Sequence, residues 1–385
     1  MELAFLGPGA IVARLLVQFL PVWTLMAAIM VGSFVFRRRL GFYGRIFDSP
    51  IGMIGLGLVL FWLLTAILAN WVALFDPYVQ IRALQNEPPG AIDPNSGLPF
   101  LFGGDALGRD VFSRMVYGSR SVMVIAPLAT LFAYMVGITL GLPAGYFGGW
   151  LDTLLSFLAN LVLAFPVILL FYLLVTPEIR ATPIPGTMAA VLFLFPVIFL
   201  VVFFWSRFRE RPDVLWYYLG PILLIGGFVY LGLIGVWDPT GLIAMDANTL
   251  NIFLAVVFIS SPTVFRIVRG LTLDIKTRDY VAAAQTRGER PWYIMMWEIL
   301  PNARGPLIVD ACLRIGYTTI LLGTLGFFGL GVSPESPDWG STINEGRKLL
   351  RIYVHPALPP ALAIMSLVLG LNLLADAMRE QSMKD

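Results

Sequence analysis

The chain alternates between long apolar segments and shorter polar ones. Nine segments keep an apolar character over roughly the 20 residues that a helix needs to cross the hydrocarbon core of a bilayer. They are Ala10–Phe36, Ile51–Leu74, Val122–Leu142, Leu154–Val175, Met188–Trp205, Trp216–Val236, Ile252–Val268, Pro306–Phe328 and Ala357–Ala375. This pattern predicts an all-α integral membrane protein with about nine transmembrane helices.

The composition agrees with a membrane location. Of the 385 residues, 58% are hydrophobic and 13% are charged, whereas a soluble domain carries about 25% charged residues. The net charge is only +2, and the basic residues are scattered between apolar segments rather than gathered in a stripe that would bind nucleic acid. We therefore predict a membrane-embedded protein without a nucleic-acid partner.

The chain lacks the residues of several kinds of active site. His355 is the only histidine and Cys312 the only cysteine, which excludes a metal cluster of several histidines. No G-x-x-x-x-G-K-[ST] sequence is present, so the chain has no Walker A loop for ATP. We predict no enzymatic activity, and neither a metal nor a cofactor on this chain.

The arginine and lysine residues indicate the orientation, because the cytoplasmic loops of membrane proteins carry an excess of them. If the basic segment Arg37–Arg45 is cytoplasmic and the spans alternate, most arginine and lysine residues between spans fall on the cytoplasmic side. This predicts an N-terminus outside and a C-terminus in the cytoplasm. It also places residues 269–305 in the cytoplasm and residues 75–121 outside.

The external segment 75–121 is too long for a simple turn. It is rich in proline, glycine and aspartate, and its second half, Leu107–Ser121, mixes charged residues with Val111, Met115 and Val116 at helical spacing. Such spacing predicts an amphipathic helix on the membrane surface. A solvated loop without a specific partner is the plainer alternative.

The cytoplasmic segment contains a polar run, Asp279–Gly288, between long apolar ones. Its central residues Ala282–Ala284 favour a helix, Gly288 can end that helix in the left-handed conformation, and Pro291 can begin the next one. A short exposed helix across the end of a membrane bundle indicates contact with a cytoplasmic partner. An ordinary linker helix is the alternative.

This run resembles the EAA loop of ABC-importer permeases, in which Glu-Ala-Ala is followed by a glycine and then by Ile and Leu-Pro. Ala283, Ala284 and Gly288 fit the first part and Ile299–Pro301 fits the second, at the spacing of the dipeptide/oligopeptide permease group. Ala282 departs from the pattern, because the family usually has glutamate there. The resemblance implies that this loop couples the permease to an ATPase.

Further motifs of the same group follow in the same order along the chain. They are Gly104–Arg114, Tyr117–Arg120, Ala144–Trp150, Ala164–Pro166, Gly326–Gly331, Pro337–Gly340 and Asn372–Asp376. Phe157 and Asn160 stand where the family tends to place arginine and aspartate. The shared order makes the resemblance to the C-type subunit of dipeptide/oligopeptide importers specific, over Ser49–Val175 and Leu250–Arg379.

The resemblance also implies a domain organisation. The expected fold is a type I ABC importer transmembrane domain with an extra N-terminal span and a two-span insert. Residues 1–48 would form the extra helix and a basic cytoplasmic linker, and residues 49–175 the first part of the permease core. Residues 176–249 would form an inserted helical hairpin, and residues 250–385 the second part of the core with a coupling loop at 269–305. We expect the added helices at the periphery of the bundle.

The implied function is that of a permease subunit of an ATP-driven importer in a bacterial inner membrane, forming half of the pore for peptides or a related small solute. The implied partners, besides the lipid membrane, are a second permease in a heterodimer, two cytoplasmic ATPase subunits that bind ATP and Mg, and an extracytoplasmic solute-binding protein. A stand-alone secondary transporter or channel is the main alternative, and a membrane scaffold is a third. Dependence on ATPase subunits separates the importer from both.

Two sets of residues are the predicted functional sites. The residues predicted to form the ATPase-coupling site are Tyr280, Ala282, Ala283, Ala284, Arg287, Gly288, Glu289, Leu300 and Pro301. The residues predicted to form an external surface that meets the binding protein are Gly104, Asp105, Gly108, Arg109, Asp110, Arg114 and Arg120.

Other polar and glycine positions have plainer structural interpretations. Asp310 and Arg314 are four residues apart and can pair on one helix face. His355 is expected near an external interface with its polar tip in water, and Asp152 at the end of a helix. The glycines of Gly52–Gly57 indicate close helix packing.

Overall fold

The computed structural model describes residues 3–180, 182–241, 245, 247–330 and 335–382. Gly331, the last residue of one predicted motif, lies outside these residues. The described chain is about three-quarters helical with only two short strands, as the hydrophobic pattern predicts. Its first part contains, in order, α1 (Pro8–Gln18), α2 (Leu20–Val35), α3 (Gly41–Gly44), α4 (Pro50–Ile67), α5 (Ala69–Val72), β1 (Ala91–Ile92), β2 (Pro99–Phe100), α6 (Val111–Phe147), α7 (Gly149–Leu163), α8 (Val167–Val175) and α9 (Pro177–Arg180).

The second part of the chain continues with helices alone among its described residues. These are α10 (Ile184–Phe208), α11 (Pro212–Leu233), α12 (Ala247–Ile275), α13 (Asp279–Thr286), α14 (Pro291–Tyr293), α15 (Leu300–Asn302), α16 (Arg304–Phe327), α17 (Trp339–Arg347) and α18 (Leu358–Ser382). A π-helix over Ile294–Ile299 joins α14 to α15. Short 3₁₀ turns lie at Arg37–Arg39, Arg45–Asp48 and Arg82–Leu84.

Nine spans are consistent with the described helices. Seven helices are long and apolar enough to cross a membrane, and two further pairs pass the same test with a bend of 52° between α1 and α2 and of 81° between α7 and α8. The second bend falls at Pro166, whose backbone is extended (φ −62°, ψ 120°), because proline lacks the N–H that would continue the helix of the preceding turn. The predicted span Leu154–Val175 is therefore two helices rather than one straight one.

Helix α6 corrects the prediction for Leu107–Ser121. We predicted a separate amphipathic helix on the membrane surface, but Val111–Ser121 forms the first turns of a single helix of 37 residues. At 1.5 Å per residue such a helix is about 55 Å long, which exceeds the roughly 30 Å hydrocarbon core. Of its two charged residues, Arg114 is fully buried and Arg120 is half-buried.

The described residues form two compact units, Met1–Pro127 with Val309–Asp385 and Leu128–Ile308. In the first unit, α4 and α18 run antiparallel in close contact. A Cβ on Gly55 would lie 2.6 Å from the backbone nitrogen of Leu374, whereas a Cβ on Gly57 would meet nothing within 4 Å. The glycine-rich start of α4 is thus a close helix contact at Gly55, as predicted, but not at Gly57.

The start of the chain is paired with the external segment of the first unit. Strands β1 and β2 pair antiparallel, and Phe5 lies opposite Ala91 in a further antiparallel bridge. Leu6 N donates to the Gly90 carbonyl at 2.8 Å and Ile92 N donates to the Ala4 carbonyl at 2.9 Å. The predicted extra N-terminal part is therefore fixed by backbone hydrogen bonds to residues 90–92.

The second unit contains both helices of the predicted insert. Helix α10 contacts α12, α14 and the π-helix, while α11 packs along α10. Phe193 of α10 is 1% exposed, and its ring lies 5.6 Å from that of Phe132 and 5.7 Å from that of Phe253. Phe193 thus packs on aromatic rings of α6 and α12, but only 17% of the apolar stretch of α10 and 6% of that of α11 is buried, which agrees with the expected peripheral position of the insert.

Candidate functional site

The predicted coupling helix exists as α13, and it has one buried and one exposed side. Val281 and Ala284, three residues apart, are fully buried, so they fix the helix to the unit. Tyr280 is 39% exposed, and Ala282 and Ala283 are exposed as well. The helix therefore presents a face of small side chains and one tyrosine at the surface of this chain.

The C-terminus of α13 is closed by a Schellman motif. Gly288 has a φ of +79°, a conformation that glycine adopts without the strain a Cβ would cause. Glu289 N donates to the Ala284 carbonyl at 3.1 Å and Gly288 N donates to the Gln285 carbonyl at 2.9 Å, as the motif requires. The predicted glycine stop is confirmed.

The chain after α13 is a continuous but irregular helix. Pro291 begins α14 at its first position, as predicted, and the next turn is the π-helix Ile294–Ile299. Four residues of that turn, Ile294, Met295, Met296 and Ile299, are buried. A π-helix is rare and frequently lies at a functional site. Leu300 is half-buried and Pro301 exposed at the start of α15.

One ion pair links α13 to the π-helix. Arg287 Nη2 lies 3.1 Å from Glu298 Oε1, with side chains 55% and 24% exposed. An exposed pair of this kind contributes about 0–1 kcal/mol, so its value is in orientation more than in stability. Glu289, the residue after Gly288, is half-buried.

The turn between α6 and α7 meets the predicted coupling loop at the same end of the unit. Gln285 Nε2 donates to Tyr146 Oη at 3.3 Å. Arg269 forms a two-pronged ion pair with Asp152, which lies in the first turn of α7. Asp152 is therefore a helix-end residue, as predicted, and the two connecting segments lie on one side of the unit, as the alternating topology requires.

The predicted external surface is not a surface. Asp105, Arg109, Asp110 and Arg114 are 2%, 3%, 1% and 0% exposed, and Gly104 and Gly108 are buried with them. Arg120 is half-buried, and its Nε donates to the Ala66 carbonyl at 2.8 Å. The prediction failed because these charges have partners inside the fold, which the spacing of a single segment cannot reveal.

These charges belong to a cluster that we call the outer network, made of the buried Asp105, Arg109 and Arg114 and of Glu345, whose side chain is 27% exposed. Arg109 Nε lies 2.6 Å from Asp105 Oδ2, and Arg109 Nη2 pairs with Glu345 Oε2. Arg114 Nη2 lies 3.7 Å from the same Glu345 oxygen and donates to the Ser336 carbonyl at 3.0 Å. Two guanidinium groups thus face two carboxylates, which is the condition for burying charge.

Glu345 was not singled out from the sequence. It lies in α17, more than two hundred positions from Arg109, and no local pattern distinguishes it from the other acidic residues. Only the fold brings it to the two arginines. The outer network therefore joins the external segment to α17.

Asp110 caps the N-terminus of α6 beside the outer network. Its Oδ2 accepts hydrogen bonds from Ser113 N at 2.9 Å and Ser113 Oγ at 2.6 Å. Burial raises the pKa of Asp110 to about 7, and the nearby Asp105 raises it as well, against the lowering effect of the hydrogen bonds from Ser113. The carboxyl therefore titrates near neutral pH.

Trp339 and His355 complete the packing of this region. The Trp339 side chain is fully buried and its Nε1 donates to the Met115 carbonyl at 2.8 Å. His355 is half-buried, with Nε2 3.1 Å from the Gly104 carbonyl, and burial lowers the pKa of its imidazole. The prediction of a histidine tip in water is wrong, because the imidazole packs on the backbone of the external segment.

The intramembrane pair is present as predicted. Arg314 Nε lies 2.6 Å from Asp310 Oδ2, one turn apart in α16. The two charges compensate each other, which supports a structural role. Among the residues that the structure describes, no group of three or more His, Cys, Asp or Glu side chains is placed to hold a metal ion.

The fold defines a class: a multi-pass helical membrane protein that presents a short, anchored helix beyond its apolar spans. Two family comparisons identify it further. The family described as binding-protein-dependent transport system inner membrane component matches residues 212–382. The N-terminal TM domain of oligopeptide transport permease C matches residues 42–89. The chain belongs to this family of inner-membrane ABC importer permease subunits.

Two named transport permeases are similar to this chain over most of their length. The glutathione transport system permease protein GsiD of Pectobacterium atrosepticum is 29% identical over 325 residues, 83% of each chain. The dipeptide transport system permease protein DppC of Haemophilus influenzae is 29% identical over 329 residues, 85% of this chain and 88% of the relative. The family match from residue 212 begins at the first residue of α11, inside the predicted insert, so the boundaries 176–249 stay a prediction.

Proposed function

We propose that this chain forms half of the translocation pathway of an importer completed by a second permease, two cytoplasmic ATPase subunits and an extracytoplasmic binding protein. The observation that carries this proposal is α13, which is fixed by the buried Val281 and Ala284 and exposed on its opposite face. Membership of a binding-protein-dependent family supports it. In this assembly ATP and Mg bind to the ATPase subunits, and the N-terminus lies outside with the C-terminus in the cytoplasm.

In the proposed mechanism α13 is the lever between the ATPases and the spans. The exposed Tyr280, Ala282 and Ala283 enter a groove of the ATPase, where alanine side chains allow close backbone approach. When nucleotide closes the ATPase pair, α13 moves with it and displaces the residues after Pro291. Such coupling needs two global states that differ in their contacts with the nucleotide-bound ATPase.

Ala282 limits which groups of the ATPase can contact this position of α13. The family usually has glutamate here, and the exposed Ala282 leaves no carboxylate at that point of the α13 face. We propose that the partner ATPase contacts this position through apolar or backbone groups rather than through a basic side chain. The ATPase is thus matched to this particular permease.

We propose that the solute is a short peptide or a related molecule. This rests on the relatives, which are named as dipeptide and glutathione permeases. The binding protein would contact exposed residues beside the outer network, such as Leu107 and Ile352, which are 44% and 74% exposed. The buried charges themselves hold the external segment on α17.

Uptake by the assembled importer in proteoliposomes tests the coupling assignment. We expect Gly288→Pro and Arg287→Glu to abolish ATP-dependent uptake of a labelled dipeptide while the chain still inserts, because proline cannot adopt the φ of +79° at Gly288 and glutamate repels Glu298. Gly241→Pro is the control, since Gly241 also has a positive φ, of +63°, in an exposed turn.

Two outcomes would contradict the proposal. Wild-type uptake in both Gly288→Pro and Arg287→Glu would remove α13 as the coupling element. Uptake that persists after ATP depletion and follows an ion gradient would instead indicate a secondary transporter.

A further inference from the structure

Trp297 of the π-helix contacts the end of α10. Its indole Nε1 donates to Ser206 Oγ at 3.1 Å and to the Phe203 carbonyl at 3.3 Å. Both acceptors belong to the last two turns of α10, in the predicted insert. The only donor of the indole is therefore directed at the insert.

The faces of the same indole are also covered by α10. The Arg207 guanidinium lies 4.3 Å from the centroid of the Trp297 ring, within the range of a cation–π interaction. The Phe203 ring lies 4.5 Å from it in a tilted arrangement. Trp297 is thus held by hydrogen bonds, by a cation and by an aromatic ring of one helix end.

The residue after Trp297 continues this contact to the coupling helix. Glu298 accepts from Arg287, the C-cap of α13, at 3.1 Å. Two consecutive residues of the π-helix therefore connect α10 on one side with α13 on the other. A movement of α13 that displaces the π-helix must therefore either move the end of α10 or break the contacts between α10 and Trp297.

The end of α10 packs in turn on α11. Tyr218 stacks on Phe204 with centroids 4.9 Å apart and on Phe208 with centroids 5.2 Å apart. These stacks lock the two helices together beside their connecting turn, Arg209–Arg211. The hairpin therefore offers a fixed support on which Trp297 rests.

We propose that the α10–α11 hairpin positions the coupling helix, with Arg207 and Ser206 holding Trp297 as positioning residues that set how much uptake each ATP yields. The inference rests on the proposed function of α13. Without this grip, α13 still docks on the ATPase, but part of its movement is lost in displacing the π-helix instead of the spans. The α10–α11 hairpin would then contribute to transport as well as to packing.

The chain contains a matched control pair at the same helix end. The Arg209 guanidinium lies 4.8 Å from the centroid of the Trp205 ring, so a second arginine–tryptophan contact occurs within the end of α10 itself. Arg209→Gln and Trp205→Phe remove the same kinds of groups as Arg207→Gln and Trp297→Phe. They leave Trp297 and its partners intact.

The experiment measures uptake and ATP hydrolysis together for the complete importer in proteoliposomes. We expect uptake per ATP to fall about two- to fivefold in Arg207→Gln, the effect of losing an exposed cation–π contact on a two-state equilibrium. Uptake per ATP should fall by a similar factor in Trp297→Phe, which loses only the N–H donor and part of the ring. Arg207→Lys should restore most of the ratio, because it keeps a cation over the ring.

Unchanged uptake per ATP in Arg207→Gln and Trp297→Phe overturns the inference, and so does an equal loss in the two control variants. If the Arg207→Gln variant fails to assemble, uptake per ATP in Trp297→Phe tests the hairpin's role on its own. Loss of uptake in Gly288→Pro with a wild-type ratio in Arg207→Gln refutes the hairpin's role while the function of α13 stands. Wild-type uptake in Gly288→Pro and Arg287→Glu refutes the function of α13 itself.

Discussion

Individual charged residues decide whether the external segment keeps its place. Arg109 and Arg114 are almost completely buried, and each faces both Asp105 and Glu345 at ion-pair distance. A buried ion pair contributes little net stability, but removing one partner leaves an uncompensated charge in a poorly hydrated site. The outer network is therefore sensitive to any single neutralisation.

We expect Arg109→Gln to lower the free energy of unfolding by about 3–5 kcal/mol, because Asp105 and Glu345 would then share only Arg114 and one negative charge would be left uncompensated. Thermal unfolding of the purified chain in detergent measures the change. Lys348→Gln is the control, since it removes one positive charge from an exposed position just after α17. An equal, small shift in both variants would show that the burial of the network does not matter for stability.

Asp110 predicts a dependence of stability on pH. Its pKa is about 7 in the folded chain against 3.8 for the ordinary carboxyl, so the folded state takes up a proton between these values. The resulting stabilisation is complete below the lower value and is lost as pH rises through the upper one. The parent chain should therefore gain unfolding temperature from this group at about pH 6 relative to about pH 8. We expect this difference between the two unfolding temperatures to be smaller in Asp110→Asn.

The control for this prediction is Asp213→Asn, an exposed aspartate in the first turn of α11. The lowered pKa of His355 gives a slope of opposite sign, but it is present in every variant and cancels in the comparison. A pH profile of Asp110→Asn that coincides with that of the parent would argue against a raised pKa.

At the scale of elements, close helix contacts in this chain depend on where each glycine faces. Gly55 and Gly57 lie in the same helix and differ in sequence environment by little. The fold directs Gly55 at the backbone of α18 and leaves Gly57 in open space. A glycine-rich run therefore predicts that helices approach closely, but not through which glycine.

We expect Gly55→Ala to destabilise the chain by about 1–3 kcal/mol, because a Cβ 2.6 Å from the Leu374 nitrogen forces α4 and α18 apart. Gly57→Ala should be neutral or stabilising by up to about 1 kcal/mol, since alanine favours a helix over glycine. Unfolding temperatures of the two variants give the comparison. A loss in Gly57→Ala equal to that in Gly55→Ala would contradict the packing argument.

The elements that the sequence predicted best are those defined by local chemistry. The helix over Ala282–Ala284, its stop at Gly288 and its restart at Pro291 all occur as expected. Each follows from propensity, backbone conformation or a missing N–H within a few residues. The π-helix over Ile294–Ile299 was not foreseen, because nothing in the pattern of its residues distinguishes it from an ordinary helical turn.

At the scale of the whole chain, the two predicted additions are integrated rather than appended. The N-terminal part is hydrogen-bonded to the external segment through Leu6 and Ile92. The predicted insert contributes Phe193 to the core of its unit and holds Trp297 beside the coupling helix. Each addition therefore reaches a predicted functional segment.

The membrane class, the number of candidate spans, the permease resemblance and the local form of α13 could all be predicted without the fold. Hydrophobic length, residue order and backbone preference are properties of short stretches, so they can be seen without the fold. Three contacts could be seen only in the folded chain: Arg109 and Arg114 are buried against Glu345, His355 contacts Gly104, and α10 contacts Trp297. These contacts depend on residues far apart in the sequence. Burying a charge or an indole N–H is unfavourable unless the fold brings a partner into contact with it.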